Sequence, residues 1–267
     1  MKPLILVVTE PPGPSGLDLL PPLVGVALAA TLGVIVGSFI STLVLRWGAP
    51  QSIFGRSRCD SCGRTLGFVD LIPLVGWLVR RGHCHSCGAE IDPFHLQVEL
   101  GAATIGALAL VLMPGYAGWS LALFGWLLLP LALLDARIFW LPNKLVAALA
   151  LGGLLAGGPM LDNEFFERLV GAAVGGLTLL LLAEAFKWLR GREGMGGGDP
   201  KLAAAIGCWL GWMPLPMMFL LASASGIAWG LIQKRDVPIA DRHIPFGAFM
   251  AAAAWLTVPH WSYLNAG

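Results

Sequence analysis

Gly194-Met195-Gly196-Gly197-Gly198-Asp199-Pro200-Lys201-Leu202 lies between two apolar runs, one ending at Trp188 and the next beginning at Leu202. The stretch places a carboxylate, Asp199, where the chain re-enters apolar surroundings. Gly191, Gly194, Gly196, Gly197 and Gly198 stand around it, and glycine lets a backbone turn tightly and approach a neighbour closely. An ionisable group at a membrane boundary is costly to keep there and points to function. A second carboxylate, Asp135, stands at the same kind of boundary after another apolar run. The chain reads as a scaffold that brings these two acids together.

The composition supports this reading. Of the 267 residues, 57% are hydrophobic and 12% charged, against about 25% charged in an ordinary soluble domain, and the mean hydropathy is +0.75. The expected class is an all-α polytopic membrane protein; the alternating pattern of a membrane β-barrel is absent. A net charge of +1 makes no case for a nucleic-acid partner.

Apolar runs fall at 21–45, 96–113, 118–135, 143–158, 169–188, 202–213, 215–233 and 245–259. A crossing helix needs about 20 residues, so about eight transmembrane helices are expected, with the fourth, sixth and eighth short. Residues 1–20 contain Pro3, Pro11, Pro12 and Pro14 and read as an extracytoplasmic tail. Lys2 and the apolar residues after it faintly resemble a signal peptide, but no small-residue cleavage site follows.

Basic residues orient the bundle. Segments 46–95, 135–144, 187–201 and 233–244 hold 15 of the 17 Lys and Arg residues, leaving Lys2 and Arg168 for the other side. Eight crossings put those four segments on one face, which the positive-inside rule makes cytoplasmic. Asp135 and Asp199 then share that face despite a separation of 64 residues. The expected organisation is a tail at 1–20, a first transmembrane helix at 21–45, a cytoplasmic zinc-binding domain at 46–95 and a seven-helix membrane domain at 96–267.

The cytoplasmic segment contains Cys59-Asp-Ser-Cys62-Gly and Cys84-His-Ser-Cys87-Gly, with 21 residues between the pairs. Two such pairs supply four thiolates at the spacing of a zinc ribbon, a closed tetrahedral structural site. A redox dithiol is the rival, but it lacks the βαβ context that usually accompanies one. His83 and His85 read as flanking residues, with ligation as their alternative. Cys208, alone in an apolar run, reads as packing. Between the pairs, LGFVDLIPLVGWLV is broken by Pro73 and Gly76 and reads as a segment lying along the membrane surface. Asp70 within it reads as a cap or turn residue.

Asp135 opens the connector DARIFWLPNKL, where Pro142 breaks helical continuity. Either acid alone reads as a cap or a solvated loop residue. Two on one face, one inside Gly-x-Gly-Asp, read as a catalytic pair. Carboxylates at close range do not both ionise readily, so one keeps a proton near neutral pH. The ionised acid takes a proton from water while the other donates to a scissile carbonyl, which hydrolyses an amide without a covalent intermediate or a catalytic metal. The two titrate as a pair, so neither is assigned as base or acid. Lys201 reads either as a basic anchor or as an influence on the pair.

These residues resemble the prepilin peptidases, or type IV leader peptidases, over nearly the whole chain. The resemblance rests on Gly37-Ser38-Phe39 with Arg46, the segment from Arg58 through Cys59, Cys62, Leu71-Ile72-Pro73-Leu74, Arg81-Gly82, Cys84 and Cys87 to Val98-Glu99-Leu100, and Leu134-Asp135 with Leu141-Pro142. Gly194 through Asp199 to Leu202 and Ile244-Pro245-Phe246-Gly247 complete it. It implies an inner-membrane aspartic endopeptidase that removes the basic leader from type IV prepilins or type II secretion pseudopilins, cutting after a Gly on the cytoplasmic side. It also implies methylation of the new amino terminus with S-adenosylmethionine as methyl donor. Catalytic roles fall on Asp135 and Asp199, and structural zinc on Cys59, Cys62, Cys84 and Cys87. The partners implied are the prepilin substrates and the lipid bilayer.

Two positions depart from the family pattern. Ser41 stands where Asn is usual, and Phe94-His95-Leu96 where Arg-Tyr-Pro is usual. No glycine-rich strand-to-helix loop marks a methyl-donor site. Alternative readings are a Gly-x-Gly-Asp intramembrane protease of other substrates and a non-enzymatic, zinc-stabilised transporter or assembly subunit.

Overall fold

The computed structural model describes residues 21–47, 55, 57–59, 61–191, 194–232 and 244–265. The expected tail at 1–20 and the basic residues Arg56, Arg192, Lys234, Arg235 and Arg242 lie outside them. The described residues form eleven helices: α1 (Pro22–Arg46), α2 (Phe68–Leu71), α3 (Val75–Val79), α4 (Phe94–Leu112), α5 (Gly115–Ile138), α6 (Asn143–Ala156), α7 (Gly158–Leu161), α8 (Phe165–Arg190), α9 (Asp199–Leu210), α10 (Leu215–Ile232) and α11 (Phe246–Asn265). The only β pairing among them is two isolated bridges.

Eight of the helices coincide with the eight apolar runs. Five of these, α1, α4, α5, α8 and α10, are long and apolar enough to cross a membrane. The protein is therefore an integral membrane protein, and five of the eight expected crossings are met by helices of sufficient length and hydropathy. α6 has 14 residues and α9 has 12, or about 21 and 18 Å at a rise of about 1.5 Å per residue, against a hydrocarbon core of about 30 Å. α11 is long enough at 20 residues, but His260, Ser262 and Asn265 make its last turns less apolar.

α9 is short because it is a core element. Leu202, Ala203, Ile206, Trp209 and Leu210 are fully buried, and the helix packs against α6, α8 and α11. Hydropathy does not distinguish a helix surrounded by protein from one surrounded by lipid. By contrast, α8 exposes Leu177, Leu181 and Leu182, the surface expected against acyl chains.

Small residues set the closest approaches, as packing between membrane helices requires. A Cβ on Gly37 of α1 would sit 2.7 Å from Glu99 Cα and 2.8 Å from the Val98 carbonyl of α4, and one on Gly175 of α8 would sit 2.6 Å from the Ala203 carbonyl of α9. Gly171 and Gly207 meet backbone to backbone in the same α8–α9 seam. Indole N–H groups tie further pairs. Trp126 donates to the Ala102 carbonyl at 2.9 Å, Trp209 to Leu149 at 2.7 Å and Trp255 to Leu121 at 3.2 Å. Each tie gives a polar atom a partner where no water competes.

One end of the bundle gathers the functional residues. The Arg137 guanidinium at the end of α5 lies 3.8 Å from the ring centroid of Phe94 at the start of α4. Lys201 Nζ in the first turn of α9 donates to Asn143 Oδ1 at the start of α6, at 3.0 Å. The Cys-rich segment connects α1 to α4 at this same end. Arg168 sits elsewhere: buried near the start of α8, its Nη1 donates to the carbonyls of Gly153 and Leu154 in the last turn of α6, both at 2.9 Å.

Candidate active site and cysteine cluster

Asp135 occupies the last turn of α5, which closes with Phe139 in the left-handed region at φ 53°. The carboxylate is 6% exposed. Its Oδ2 accepts the Ala248 N–H at 2.9 Å, a first-turn donor of α11 that it shares with the Pro245 carbonyl at 3.2 Å. Gly247 makes that contact possible, because a Cβ there would lie 2.9 Å from the same oxygen. The residues around Ile244-Pro245-Phe246-Gly247 thus bring the start of α11 against the first acid.

Asp199 is the first residue of α9 and is 7% exposed. Its N–H donates to the Gly196 carbonyl at 3.1 Å, which folds the glycine loop over the helix start, where a negative charge is favoured. Leu141, from the connector after α5, lies between the two acids' supports. Its side chain would be 3.0 Å from a Cβ on Gly198 and 3.1 Å from one on Gly247. The buried pair anticipated from sequence is thus brought together from α5 and α9. Lys201 is taken up by Asn143 as a tie between α6 and α9.

A cavity of about 430 Å³ borders the glycine loop, lined by Gly176, Leu180 and Ala183 of α8 together with Met195, Gly196 and Pro200. Its wall is therefore α8 on one side, where Glu184 and Lys187 also line it, and the residues next to Asp199 on the other, with Lys201 among them.

The four cysteines form two equivalent knuckles related by a shift of 25 residues. The Cys59 N–H donates to the Arg64 carbonyl at 2.9 Å and the Cys84 N–H to Ala89 at 2.8 Å; Gly63 and Gly88 return to Cys59 and Cys84 at 2.8 and 2.9 Å. Bridges Arg58–Thr65 and His83–Glu90 repeat the same shift. Gly63 and Gly88 have φ of 69° and 70°, left-handed turns that explain the glycine after each Cys-x-x-Cys. All four Sγ atoms lie within 4.8 Å of one another, and Cys59 and Cys87 are 3.9 Å apart. A tetrahedral zinc with bonds of about 2.3 Å has sulfur–sulfur edges of about 3.8 Å, so the set fits a metal ion. The N–H groups of Cys87 and Ser86 hold the Cys84 thiol down to about 6, while burial and the three neighbouring thiols outweigh the Ala89 N–H and push Cys87 up to about 11, so thiols packed this closely resist ionising together unless a cation joins them. His83 Nδ1 donates to the Arg81 carbonyl at 2.7 Å, and Cys208 is buried in α9 against the Gly153 position of α6.

Asp70 is the hub of this module as well as its turn residue. It accepts the Gly67 N–H at 3.1 Å and pairs with Arg64 at 3.1 Å and Arg80 at 2.9 Å. The Gly67 N–H, with the two guanidiniums, outweighs burial and holds its carboxyl below the ordinary 3.8. Glu99, 5% exposed in α4, accepts the Leu74 N–H at 2.7 Å and so ties the segment between the knuckles to the bundle.

Sequence reasoning missed the Ala248 N–H, the Leu141 wedge and the Asn143 tie, and gave Gly247 no physical role. It also treated Ser41 and His95 as two separate departures. In the structure Ser41 Oγ and His95 Nδ1 are 2.8 Å apart, so the departures form one contact. The signal available for Gly247 was its closeness to the Pro245 helix start.

Residues 31–113 match the model of the bacterial peptidase A24 N-terminal domain, and residues 122–231 that of the type IV leader peptidase family. The chain is 39% identical over 209 residues to a prepilin leader peptidase/N-methyltransferase of Aeromonas hydrophila, covering 76% of this chain and 71% of that protein. It is 32% identical over 271 residues to the protein of that name from Stutzerimonas stutzeri, covering 89% and 91%. The corresponding Pseudomonas aeruginosa protein is 34% identical over 271 residues with the same coverage. No solved structure matches.

Proposed function

Because the chain belongs to the type IV leader peptidase family, we propose that it is a membrane aspartic endopeptidase that removes the leader from type IV prepilins or type II secretion pseudopilins and N-methylates the amino terminus it exposes. The observation that carries the peptidase assignment is the buried pair of carboxylates, Asp135 and Asp199, held at one end of the bundle by α5, α9 and the start of α11.

In this reading the acids share one proton. The ionised member takes a proton from a water molecule as that water attacks the scissile carbonyl, and the protonated member donates to the carbonyl oxygen. Collapse of the tetrahedral species returns a proton to the leaving amine. The Ala248 N–H fixes the rotamer of Asp135, and the glycine loop leaves room beside Asp199 for an extended peptide. The cavity next to that loop is walled by α8, whose outer face is apolar. A substrate with a basic leader and an apolar helix would reach the acids sideways from the bilayer, keeping its helix in lipid.

We assign residues 46–95 to a cytoplasmic module and 96–267 to the peptidase bundle, with the acids on the cytoplasmic side. Cys59, Cys62, Cys84 and Cys87 would hold a structural zinc that closes the two knuckles into one unit. Methyl transfer requires S-adenosylmethionine.

The test is Asp135→Asn and Asp199→Asn, followed by leader removal from a purified prepilin. Each variant is expected to lose about 10²- to 10⁴-fold in rate, the range of a positioned acid or base. Processing at the unaltered rate by both variants would discard the pair.

A further inference from the structure

The cavity of about 430 Å³ beside the glycine loop carries a carboxylate that the chemistry described so far leaves unused. It belongs to Glu184 of α8, which follows the apolar residues Leu179 to Ala183 and precedes Ala185 and Phe186. An ionisable side chain within an apolar helix is costly to keep there and points to function. Glu184 has no hydrogen bond or ion pair with any described residue. Lys187 stands at a spacing that commonly pairs with a glutamate, yet does not take it up. Among the described residues that line the cavity, Glu184 is the one acid. The others that carry charge are Lys187, a turn nearer the helix end, and Lys201, whose Nζ donates to Asn143 at 3.0 Å.

The α8–α9 seam fixes where this carboxylate stands relative to the catalytic pair. Gly171 faces Gly207 and Gly175 faces Ala203, so the helices run antiparallel and a step forward on α8 is a step back on α9. Asp199, four residues before Ala203, is therefore level with Leu179 of α8. Glu184 lies five residues beyond Leu179, or about 7.5 Å at a rise of about 1.5 Å per residue, toward the helix end at Arg190. The peptide ahead of the cut leaves the acids in this direction, because the substrate's apolar helix stays in lipid. An extended chain covers about 3.3–3.6 Å per residue, so a side chain about two residues before the cut arrives at Glu184.

We propose that Glu184 is a specificity-determining residue whose carboxylate receives a Lys or Arg side chain carried by the leader two or three residues before the scissile bond. The proposal rests on the leader-peptidase reading above. An ammonium or guanidinium brings N–H donors to a carboxylate that has none. A neutral side chain at that place would cover Glu184 without pairing it, and a leader carboxylate would meet it as a like charge. The contact lies away from the reacting carbonyl and is the same before and during the reaction. It therefore acts on binding and leaves the chemical step alone.

The test measures leader removal by the full chain on forms of one prepilin that carry Lys, Gln or Glu at those two positions. The unaltered chain should cleave the Lys form with a KM at least about 10-fold below that of the Gln form, the scale of one hydrogen bond to a charged group, and with a similar kcat. Glu184→Gln should raise the KM of the Lys form to that of the Gln form and leave kcat in place. Glu184→Lys should reverse the order and favour the Glu form, which a merely structural role for Glu184 does not produce. Thermal melting reports the fold of each variant, and should Glu184→Gln not fold, Glu184→Ala carries the same comparison. Equal KM for the Lys and Gln forms on the unaltered chain, or a preference for Lys that survives the loss of the carboxylate, would overturn the proposal. So would an effect of Glu184→Gln that falls on kcat alone. An unaltered chain that cuts none of the prepilin forms would overturn the leader-peptidase reading itself, and the role of Glu184 with it.

Discussion

A Cβ on Gly247 would lie 2.9 Å from an oxygen of Asp135 and 3.1 Å from Leu141, closer than side chains ordinarily approach. Gly247→Ala should therefore fold, push the start of α11 away from Asp135 and lower the rate of leader removal by about 10- to 100-fold, the scale of a misplacement of about 1 Å at a reacting centre. Thermal melting beside a cleavage assay checks it, and full activity would show that the Ala248 hydrogen bond is dispensable. Asp70 offers a test with a defined sign. Its carboxyl titrates below 3.8 in the folded module, so its ionised form contributes stability above that value and the contribution fades as pH falls through and below it. Asp70→Asn should make residues 57–92 more sensitive to protease at pH 7, with the difference from the unaltered chain vanishing in strong acid. The two acids and four cysteines were legible in the sequence because a carboxylate in an apolar context and a repeated Cys-x-x-Cys carry their chemistry locally. Partners 113 residues apart, as Ala248 and Asp135 are, or 54 apart, as Ser41 and His95 are, leave no local mark.

Helices tell a similar story one level up. The α8–α9 seam depends on Gly171, Gly175 and Gly207 meeting backbone at close range. Gly207→Val should separate the two helices, lower the melting temperature and displace Asp199 with the start of α9, so cleavage should fall more steeply than stability alone requires. Melting and cleavage measured on the same preparation decide it; unchanged values would mean that the seam can open without consequence. The apolar runs located eight of the helices, because burial in lipid and burial in protein demand the same side chains. For that very reason they showed α9 to be short but not that it is a core helix. The segment between the knuckles was legible as broken, since Pro73 interrupts it. Its tie to Glu99 was not, because a backbone N–H donor leaves no trace in residue type.

At the scale of the molecule, the acids are held by α5, α9 and α11, while the cysteines lie in the segment between α1 and α4. Metal removal, or Cys59→Ser, should accordingly raise hydrogen exchange across residues 57–92 and leave α5 and α9 protected. Leader removal should persist when methyl transfer is lost. Equal loss of both activities on chelation, with metal release verified, would mean that the two halves are not separable. The insertion has one more consequence. Ile40 and Val44 of α1 pack in one cluster with Phe94 and Val98 of α4, so the two stems of the Cys module are clamped side by side whatever hangs between them. Closing a loop whose ends already meet changes little in cost with its length. Excision of the hanging segment in a single genetic step would leave a chain able to assemble its bilayer core, so ancestry could add, trim or exchange this appendage without rebuilding the scissors beneath it.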